Sequence, residues 1–255
     1  MRDCLVAANW KMNGSRDFLR DYVERLDLAE FTGVEVVLCP PSIYLAELVE
    51  RTQGRSIACG GQDVGIQPSG AHTGELAAEM LADVGARWVI VGHSERRIDQ
   101  AEKDDLVATK AVAGLRAGIR PIVCVGETLA EREAGHEIAV VERQLEAVLD
   151  RIDLNGLAES AIAYEPVWAI GTGQTASVEQ AQDMHAFIRD KIAHVDADVA
   201  GQIRVVYGGS VKVENAAELF AQDDIDGGLI GGAGLDPVQF AGIVASASAA
   251  IGGTG

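Results

Sequence analysis

Short apolar runs alternate with longer amphipathic stretches from one end of the chain to the other. The apolar runs predict eight strands, over residues 4–9, 35–39, 57–61, 88–92, 120–125, 161–164, 204–207 and 227–230. Between them, apolar residues recur at helical spacing on single faces, as at Phe18, Leu19, Tyr22, Val23 and Leu26, and at Val140, Val141, Leu145, Val148 and Leu149. Eight βα units without a linker predict one α/β domain with a parallel sheet.

Two arrangements of such a sheet compete, a closed barrel and an open doubly wound sheet. The open sheet usually carries its phosphate-binding loop after the first strand, but here that strand leads into Asn-Trp-Lys-Met-Asn. The glycine pairs come late, at Gly208 and Gly209 after the seventh strand and at Gly231 and Gly232 after the eighth. Barrels place a phosphate site there. The sequence therefore predicts a single (β/α)8 barrel domain over residues 1–255.

Length and composition set the class of protein. The 255 residues are 48% hydrophobic, which is ample for a buried core, and no run approaches the roughly 20 apolar residues of a membrane span. The N-terminus enters a strand without a signal-peptide pattern, so we expect a soluble, cytoplasmic protein. The Ala/Ser/Gly-rich stretch after Ile243 is expected to fray at the end of the last helix.

The charge limits the partners. The formal net charge is −18 and no basic run is visible, which argues against nucleic acid and against an anionic membrane surface. An anionic substrate would therefore need local attraction, from a lysine in the site and from helix N-termini. The four cysteines lie in or beside apolar runs without metal-ligand spacing, so we expect buried free thiols and no metal site.

The run from 163 to 176 is the most informative stretch. A predicted strand ends in Glu165, followed by a stiff Pro-Val-Trp segment and then by a glycine-rich loop. A carboxylate at the end of a strand, beside a segment able to close over it, suits a general base that works out of reach of water. An isolated Glu there would more simply be a strand-capping residue beside an ordinary turn.

Further chemically useful residues follow other strands. His93 precedes a helix predicted to begin near Ser94, where the helix dipole disfavours imidazolium, and a neutral ring can donate to a developing oxyanion. Lys11, two residues after Asn9, offers a positive charge to a phosphate or enolate oxygen. Taken alone, His93 also fits a capping or core histidine and Lys11 a solvated loop lysine. A parallel barrel gathers these residues and Glu165 at one rim.

Two glycine-containing turns complete the rim. The segments 207–211, which includes Ser210, and 231–235 present backbone N–H groups that no side chain obstructs, and such amides can hold a phosphate. The run 171–175 resembles part of a P-loop, but it lacks the Gly-Lys-Ser/Thr element. Nucleotide binding is therefore not supported.

With these residues assembled, the chain resembles the triosephosphate isomerase family over essentially its whole length. Five segments carry the resemblance, in the family's order. They are Ala-Asn-Trp-Lys-Met-Asn at 8–13, Gly-His-Ser-Glu-Arg-Arg at 92–97, Cys-Val-Gly-Glu at 124–127, Ala-Tyr-Glu-Pro-Val-Trp-Ala-Ile-Gly-Thr-Gly at 163–173 and Tyr-Gly-Gly-Ser-Val at 207–211.

The resemblance implies interconversion of dihydroxyacetone phosphate and glyceraldehyde 3-phosphate, without a cofactor. Glu165 would move a proton between adjacent carbons, and neutral His93 would polarise the carbonyl and shuttle protons between the enediolate oxygens. Lys11 would stabilise the negative charge, and Asn9 would position the substrate. The loop 166–176 would be a lid. The groups implied for the phosphate are the backbone amides of Gly171, Gly231 and Gly232, with Ser210.

The resemblance also implies a homodimer, because the family is usually dimeric through a projecting loop, here 65–75. Thr73 would reach the catalytic mouth of the other subunit. Glu95 would support the lysine at the mouth, and Glu75 would pair with Arg96 across the interface.

Four positions depart from the family's pattern. Gln174 stands where a lysine is common, Gly234 where a serine is common, Asp236 where a lysine is frequent and His72 where an aromatic residue is frequent. They affect the expected lid, phosphate site and interface, and they leave the catalytic groups untouched.

Two other functions compete with an active isomerase of this type. One is a catalytically silent barrel that binds phosphorylated ligands or a protein partner, and the other is a different sugar-phosphate isomerase on the same fold. The joint presence of Asn9, Lys11, His93 and Glu165 argues against the first, because binding alone needs no base. The lid sequence argues against the second.

Overall fold

Eight parallel strands close into a barrel in the order of the sequence, β1 to β8. The structure is a computed structural model that describes residues 2–28, 31–169 and 176–252. The strands are β1 Cys4–Asn9, β2 Val34–Cys39, β3 Ala58–Gly61, β4 Trp88–Val91, β5 Arg120–Val125, β6 Ala161–Tyr164, β7 Arg204–Tyr207 and β8 Gly227–Ile230. The predicted (β/α)8 barrel is confirmed.

Helices surround the barrel and follow the strands in turn. They are α1 Arg16–Arg25, α2 Ser42–Arg51, α3 Ala78–Asp83, α4 Ser94–Asp99, α5 Asp104–Arg116, α6 Leu129–Glu133, α7 Glu137–Leu149, α8 Leu154–Glu159, α9 Val178–Val195, α10 Ala197–Ala200, α11 Val213–Phe220 and α12 Pro237–Gly252. Two short 3₁₀ turns lie at Val167–Ala169 and Gly232–Leu235. Among the described residues, no helix is both long enough and apolar enough to cross a membrane.

Five of the eight predicted strands have the bounds that the sequence indicates, and three differ at one end. β2 starts one residue earlier, at Val34, and β3 starts one residue later, so Ile57 lies outside it. β4 ends at Val91 because Gly92 has a φ of +68°, in the left-handed region that ends extended backbone. A side chain at Gly92 would also meet Val107, 2.5 Å from the added Cβ.

The tail prediction is wrong. α12 continues to Gly252 instead of fraying after Ile243. The cause is packing, since Ile243, Val244 and Ala247 are all fully buried in the layer between barrel and helices. The prediction for the cysteines is confirmed, because all four are free and buried.

Side-chain alternation along the strands builds two cores and aims the site residues. Leu5 and Ala7 of β1 belong to a core inside the barrel, while the alternate residues Cys4, Val6 and Ala8 pack outward against the helices. Asn9 continues the inward series of β1. Ala161 and Ala163 of β6 are likewise inside, and the next inward position is Glu165. Because successive side chains of a strand alternate between its two faces, Asn9 and Glu165 both point toward the barrel axis.

A charged cluster fills the barrel at the N-terminal ends of the strands. The buried Trp88 ring is flanked by two guanidinium groups, whose Cζ atoms lie 4.3 Å (Arg120) and 5.2 Å (Arg204) from its centroid. Glu35 accepts hydrogen bonds from the indole N–H at 2.8 Å and from Arg204 Nη1 at 2.8 Å. The cation–π contacts and the shared carboxylate occupy the end of the barrel opposite the site residues.

Candidate active site

The carboxyl ends of the strands surround one open cavity of about 610 Å³. Residues that are far apart in the sequence converge on it, as parallel strand ends in a closed barrel must. The residues singled out by sequence that line it are Asn9, Lys11, His93, Glu95, Glu165, Gly208, Gly209, Ser210, Gly231 and Gly232. Gly171 and Gln174, also singled out, lie outside the described residues.

Glu165 is buried at the inner wall of this cavity, with 2% of its surface exposed. Its Oε2 accepts a hydrogen bond from the Ser94 N–H at 2.8 Å, and its Oε1 lies 3.0 Å from His93 Nε2. Burial raises the pKa of the carboxyl group, but the His93 ring and the Ser94 N–H lower it, and the net direction is downward. The group is therefore held as a carboxylate, the form that a base requires.

His93 caps the N-terminus of α4, which starts at Ser94 as predicted. Its Nδ1 accepts a hydrogen bond from the Glu95 N–H at 3.2 Å, so in the neutral ring the proton belongs to Nε2 and points at Glu165. Burial lowers the pKa of His93, while the Glu165 carboxylate raises it, and the net direction is upward. The sequence predicts the helix terminus and a shared rim with Glu165, but not the direct contact between the two side chains.

Lys11 occupies a strained backbone position beside Asn9. Its φ is +51°, in the left-handed region that non-glycine residues seldom adopt, at a cost of about 1–3 kcal/mol. The Lys11 N–H donates to Asn9 Oδ1 at 3.0 Å, and the Gln62 side chain donates to the Lys11 carbonyl at 3.0 Å. Lys11 Nζ lies 2.5 Å from Glu95 Oε1, in a direct ion pair.

Backbone segments after β7 and β8 form the other side of the cavity. Asn215 holds the first of them, because its Oδ1 accepts from the Lys212 N–H at 2.8 Å and its Nδ2 donates to the Ser210 carbonyl at 3.1 Å. At Gly232 an added Cβ would meet no atom of the described chain within 4 Å. No packing requirement within the described part of the protein therefore explains a glycine at that position.

Glu127 is a functional candidate that sequence reasoning missed, although its segment belongs to the family resemblance. It is fully buried, and its Oε1 accepts from Trp168 Nε1 at 2.7 Å, from Tyr164 Oη at 3.1 Å and from Arg132 Nη1 at 2.9 Å. It thereby anchors the 3₁₀ turn after Glu165. A lone Glu after a strand gives no signal of this role, because its partners lie up to 41 residues away.

The loop proposed for dimer contact is exposed from residue 66 to residue 75, so Thr73 and Glu75 are both accessible to solvent. Arg96, the expected partner of Glu75, is bound within its own chain, with Nη2 2.8 Å from Asp63 Oδ2 and Nε 2.7 Å from Glu102 Oε1. Sequence reasoning did not anticipate this pairing, because Asp63 follows β3 whereas Arg96 lies in α4, after β4.

The side chains around the cavity define its chemistry. Across residues 2–28, 31–169 and 176–252, no group of three or more His, Cys, Asp or Glu side chains has the geometry of a metal site. The groups available at the cavity are the carboxylates of Glu95 and Glu165, the imidazole of His93, two lysine ammonium groups and backbone amides.

Known proteins that are similar to this chain share one family name. The family model described as triosephosphate isomerase matches residues 4–247. A protein of Stenotrophomonas maltophilia (strain K279a) named triosephosphate isomerase is 51% identical over 250 residues, which cover 98% of this chain and 100% of that protein. Proteins of the same name from Nitrosococcus oceani (52% over 242 residues, 94% of this chain and 97% of theirs) and Pseudomonas entomophila (49% over 249 residues, 97% and 99%) are similar to it as well. The chain belongs to the triosephosphate isomerase family.

Proposed function

We propose that this chain interconverts dihydroxyacetone phosphate and D-glyceraldehyde 3-phosphate by proton transfer through an enediolate, as a step of glycolysis and gluconeogenesis. The observation that carries the proposal is the contact between Glu165 and His93 in the cavity that Lys11 also lines. A carboxylate base, a hydrogen-bond donor and a cation around one cavity are the groups that proton abstraction beside a carbonyl needs. The names of the relatives support the same reaction.

Glu165 acts as the base. Its carboxylate removes a proton from the carbon beside the carbonyl and returns it to the neighbouring carbon, with the bonding electrons held meanwhile in the enediolate. To do so it must turn from the Ser94 N–H and His93 toward the substrate. Gly208 supports this role, because a Cβ at that position would lie 2.8 Å from Glu165 Cγ and would obstruct the side chain.

His93 donates the Nε2 proton to the substrate oxygens and transfers protons between them. The Glu95 N–H at Nδ1 stabilises the tautomer in which Nε2 carries the proton. When Glu165 leaves for the substrate, the carboxylate that raises the pKa of His93 moves away, while burial continues to lower it. The departure of Glu165 therefore favours the neutral ring, which can donate without bringing a full positive charge.

Lys11 stabilises the negative charge that develops on the enediolate. Asn9 accepts from its backbone, and Glu95 holds its ammonium group at the cavity wall. Asn9 lines the same cavity and positions the substrate beside it. The strained backbone of Lys11 supports a functional reason for its placement, because strain of this kind concentrates at active sites.

The phosphate group is held by Ser210 and by the backbone amides of Gly231 and Gly232. Support comes from Gly232, where the described chain leaves the space of a side chain empty. Backbone amides beside a short helical turn hold an anion without a full positive charge. Gly171 contributes a further amide in this proposal and lies outside the described residues.

Residues 1–255 form one barrel domain with a lid over 166–176. The anchoring of Trp168 to Glu127 supports a fixed start for this lid. Closure excludes water from the enediolate and prevents loss of the phosphate. Residues 170–175 of the lid lie outside the described part of the chain.

The protein acts as a homodimer through the loop 65–75. A cavity of about 440 Å³ beside Lys11, lined among others by Met12, Gln62 and Arg96, is suited to receive Thr73 of a second copy. Met12 is 96% exposed in the single chain, an unusual position for a large apolar side chain. Light scattering should give a mass near twice 26.8 kDa, and a mass of 26.8 kDa would contradict the dimer.

A coupled assay with purified protein tests the activity. Turnover of glyceraldehyde 3-phosphate is expected, and a lack of turnover would favour the silent phosphate-binding barrel instead. We also place the protein in the cytoplasm, which fractionation of the source cells would check.

A further inference from the structure

Lys212 is a cation at the edge of the cavity that takes part in none of the described ion pairs. It lines the cavity together with Ser210, Gly231 and Gly232, and it is exposed. The described residues supply two cations to this lining, Lys11 and Lys212. Of these two, Lys11 is paired with Glu95 at 2.5 Å. The ammonium group of Lys212 is therefore available to a ligand.

The backbone that carries Lys212 is fixed from the helix behind it. The residue is the N-cap of α11, and its N–H donates to Asn215 Oδ1 at 2.8 Å. The same Asn215 side chain donates to the Ser210 carbonyl at 3.1 Å. The side-chain amide of Asn215 therefore fixes the segment that presents Ser210 and Lys212 to the cavity. The lysine stays beside the proposed phosphate position, and no carboxylate of the described chain forms a salt bridge that would compete for its charge.

The remaining electrostatics oppose an anionic substrate. The chain carries a net charge of −18, and Glu95 and Glu165 add two carboxylates to the cavity wall. Asp236 follows the 3₁₀ turn at the phosphate side, where its carboxylate caps α12 by accepting from the Val238 N–H at 2.8 Å. A phosphate dianion thus approaches against a repulsive field, and one uncompensated cation at the entrance has a large relative effect.

We propose that Lys212 attracts the phosphate group of the substrate and sets its rate of association. The inference rests on the proposed function for the identity of the substrate. Lys212 acts on the phosphate group and does not touch the reacting carbons. Loss of the Lys212 charge should lower kcat/KM by an amount that depends on ionic strength, while kcat should change little.

The test compares Lys212→Gln with a matched control, Lys103→Gln. Lys103 is also an exposed lysine at a helix N-cap, that of α5, and it too has no ion pair among the described residues and does not line the cavity. We expect Lys212→Gln to lower kcat/KM about fivefold at about 0.01 M ionic strength and less than about twofold at about 0.5 M, where salt screens the attraction. Lys103→Gln should stay close to the wild type throughout, and Lys212→Arg should restore the lost rate.

A titration with inorganic phosphate separates this inference from the proposed function. Phosphate binding, followed by ³¹P NMR, should weaken several-fold in Lys212→Gln and not in Lys103→Gln. A wild-type protein without isomerase activity would overturn the proposed function, and the phosphate titration would still decide the role of Lys212. Equal phosphate affinities, or identical salt profiles of the two variants, would overturn the proposed role of Lys212.

Discussion

His93 Nε2 lies 3.0 Å from Glu165 Oε1, so the two side chains assigned to proton transfer are in direct contact. Burial alone would lower the pKa of His93 and raise that of Glu165, and the contact acts against burial at both groups. The protonation of each residue therefore depends on the presence of the other. A substitution of one should be visible in the titration of its partner.

Shortening the base should damage chemistry more than binding. In Glu165→Asp the carboxylate retreats by about 1 Å, and a displacement of that size costs on the order of 100-fold in rate. We expect kcat to fall by about that factor with a small change in KM, measured by steady-state kinetics in both directions. Circular dichroism serves as the control for folding. An effect confined to KM would contradict the assignment of Glu165 as the base.

Replacing the imidazole should slow the reaction and move its pH profile. His93→Gln should lower kcat by about 100-fold, the usual loss for one donor to a developing oxyanion. The His93 ring opposes the upward effect of burial on the pKa of Glu165, so its removal should raise that pKa. The acid limb of kcat/KM should then shift to higher pH. A slower enzyme with an unmoved acid limb would argue against the coupling, and loss of the circular dichroism signal would indicate a purely structural histidine.

Gly232 should be required for the ligand and not for the fold. An alanine methyl group there would contact no described atom within 4 Å, so Gly232→Ala should change the free energy of unfolding by less than about 0.5 kcal/mol. The methyl group would stand where the phosphate is proposed to bind, and KM should rise about tenfold. Gly201→Ala, at an exposed helix C-cap with a φ of −74°, is the matched control and should alter neither quantity. An unchanged KM in Gly232→Ala would remove this residue from the phosphate site.

His185 should make the fold sensitive to acid. The ring is fully buried in α9, and burial lowers its pKa to about 4, although the carbonyl groups of Ala181 and Val206 act in the opposite direction. Below pH 6.5 the unfolded chain takes up a proton that the folded chain binds only near pH 4. The contribution of the neutral His185 ring to the free energy of unfolding is therefore fully present above pH 6.5. It is lost as the pH falls toward 4, by about 3 kcal/mol in total.

Urea unfolding at several pH values checks this expectation for His185. His185→Gln should flatten the dependence of the unfolding free energy between pH 6.5 and pH 4. His194→Gln is a suitable control, because His194 lies on the same helix with the same contact to a carbonyl four residues earlier, at 2.7 Å, yet is exposed. Equal slopes in the two variants would assign the acid sensitivity to other groups.

The parts of the structure that follow from local pattern were predictable. Period-two alternation and strand ends place Asn9 and Glu165 at the inner rim, and a strand followed by a helix start places His93 at a helix terminus. The strand bounds failed where one residue overrides the pattern, as at Gly92, whose positive φ ends β4. The prediction after Ile243 was wrong in the opposite sense. The small-residue composition there indicates a frayed end, but the residues form a packed helix.

The supporting contacts were not predictable, because they join distant parts of the chain. Gln62 holds the carbonyl groups of Lys11 and Cys39, which lie 51 and 23 residues away in the sequence. Glu127 collects donors from three different segments. Neither residue differs in local pattern from an ordinary polar residue after a strand. Such roles appear only when the closed barrel fixes which strand ends are neighbours.

The cluster of Trp88, Arg120, Arg204 and Glu35 closes the barrel at the N-terminal ends of the strands. Molecules consequently have one route in and the same route out. A product must leave the cavity before the next substrate can enter, in either direction of the reaction. The two isomers share a phosphate group and enter the same cavity, so they cannot bind at the same time. Each should therefore act as a competitive inhibitor of the other's conversion.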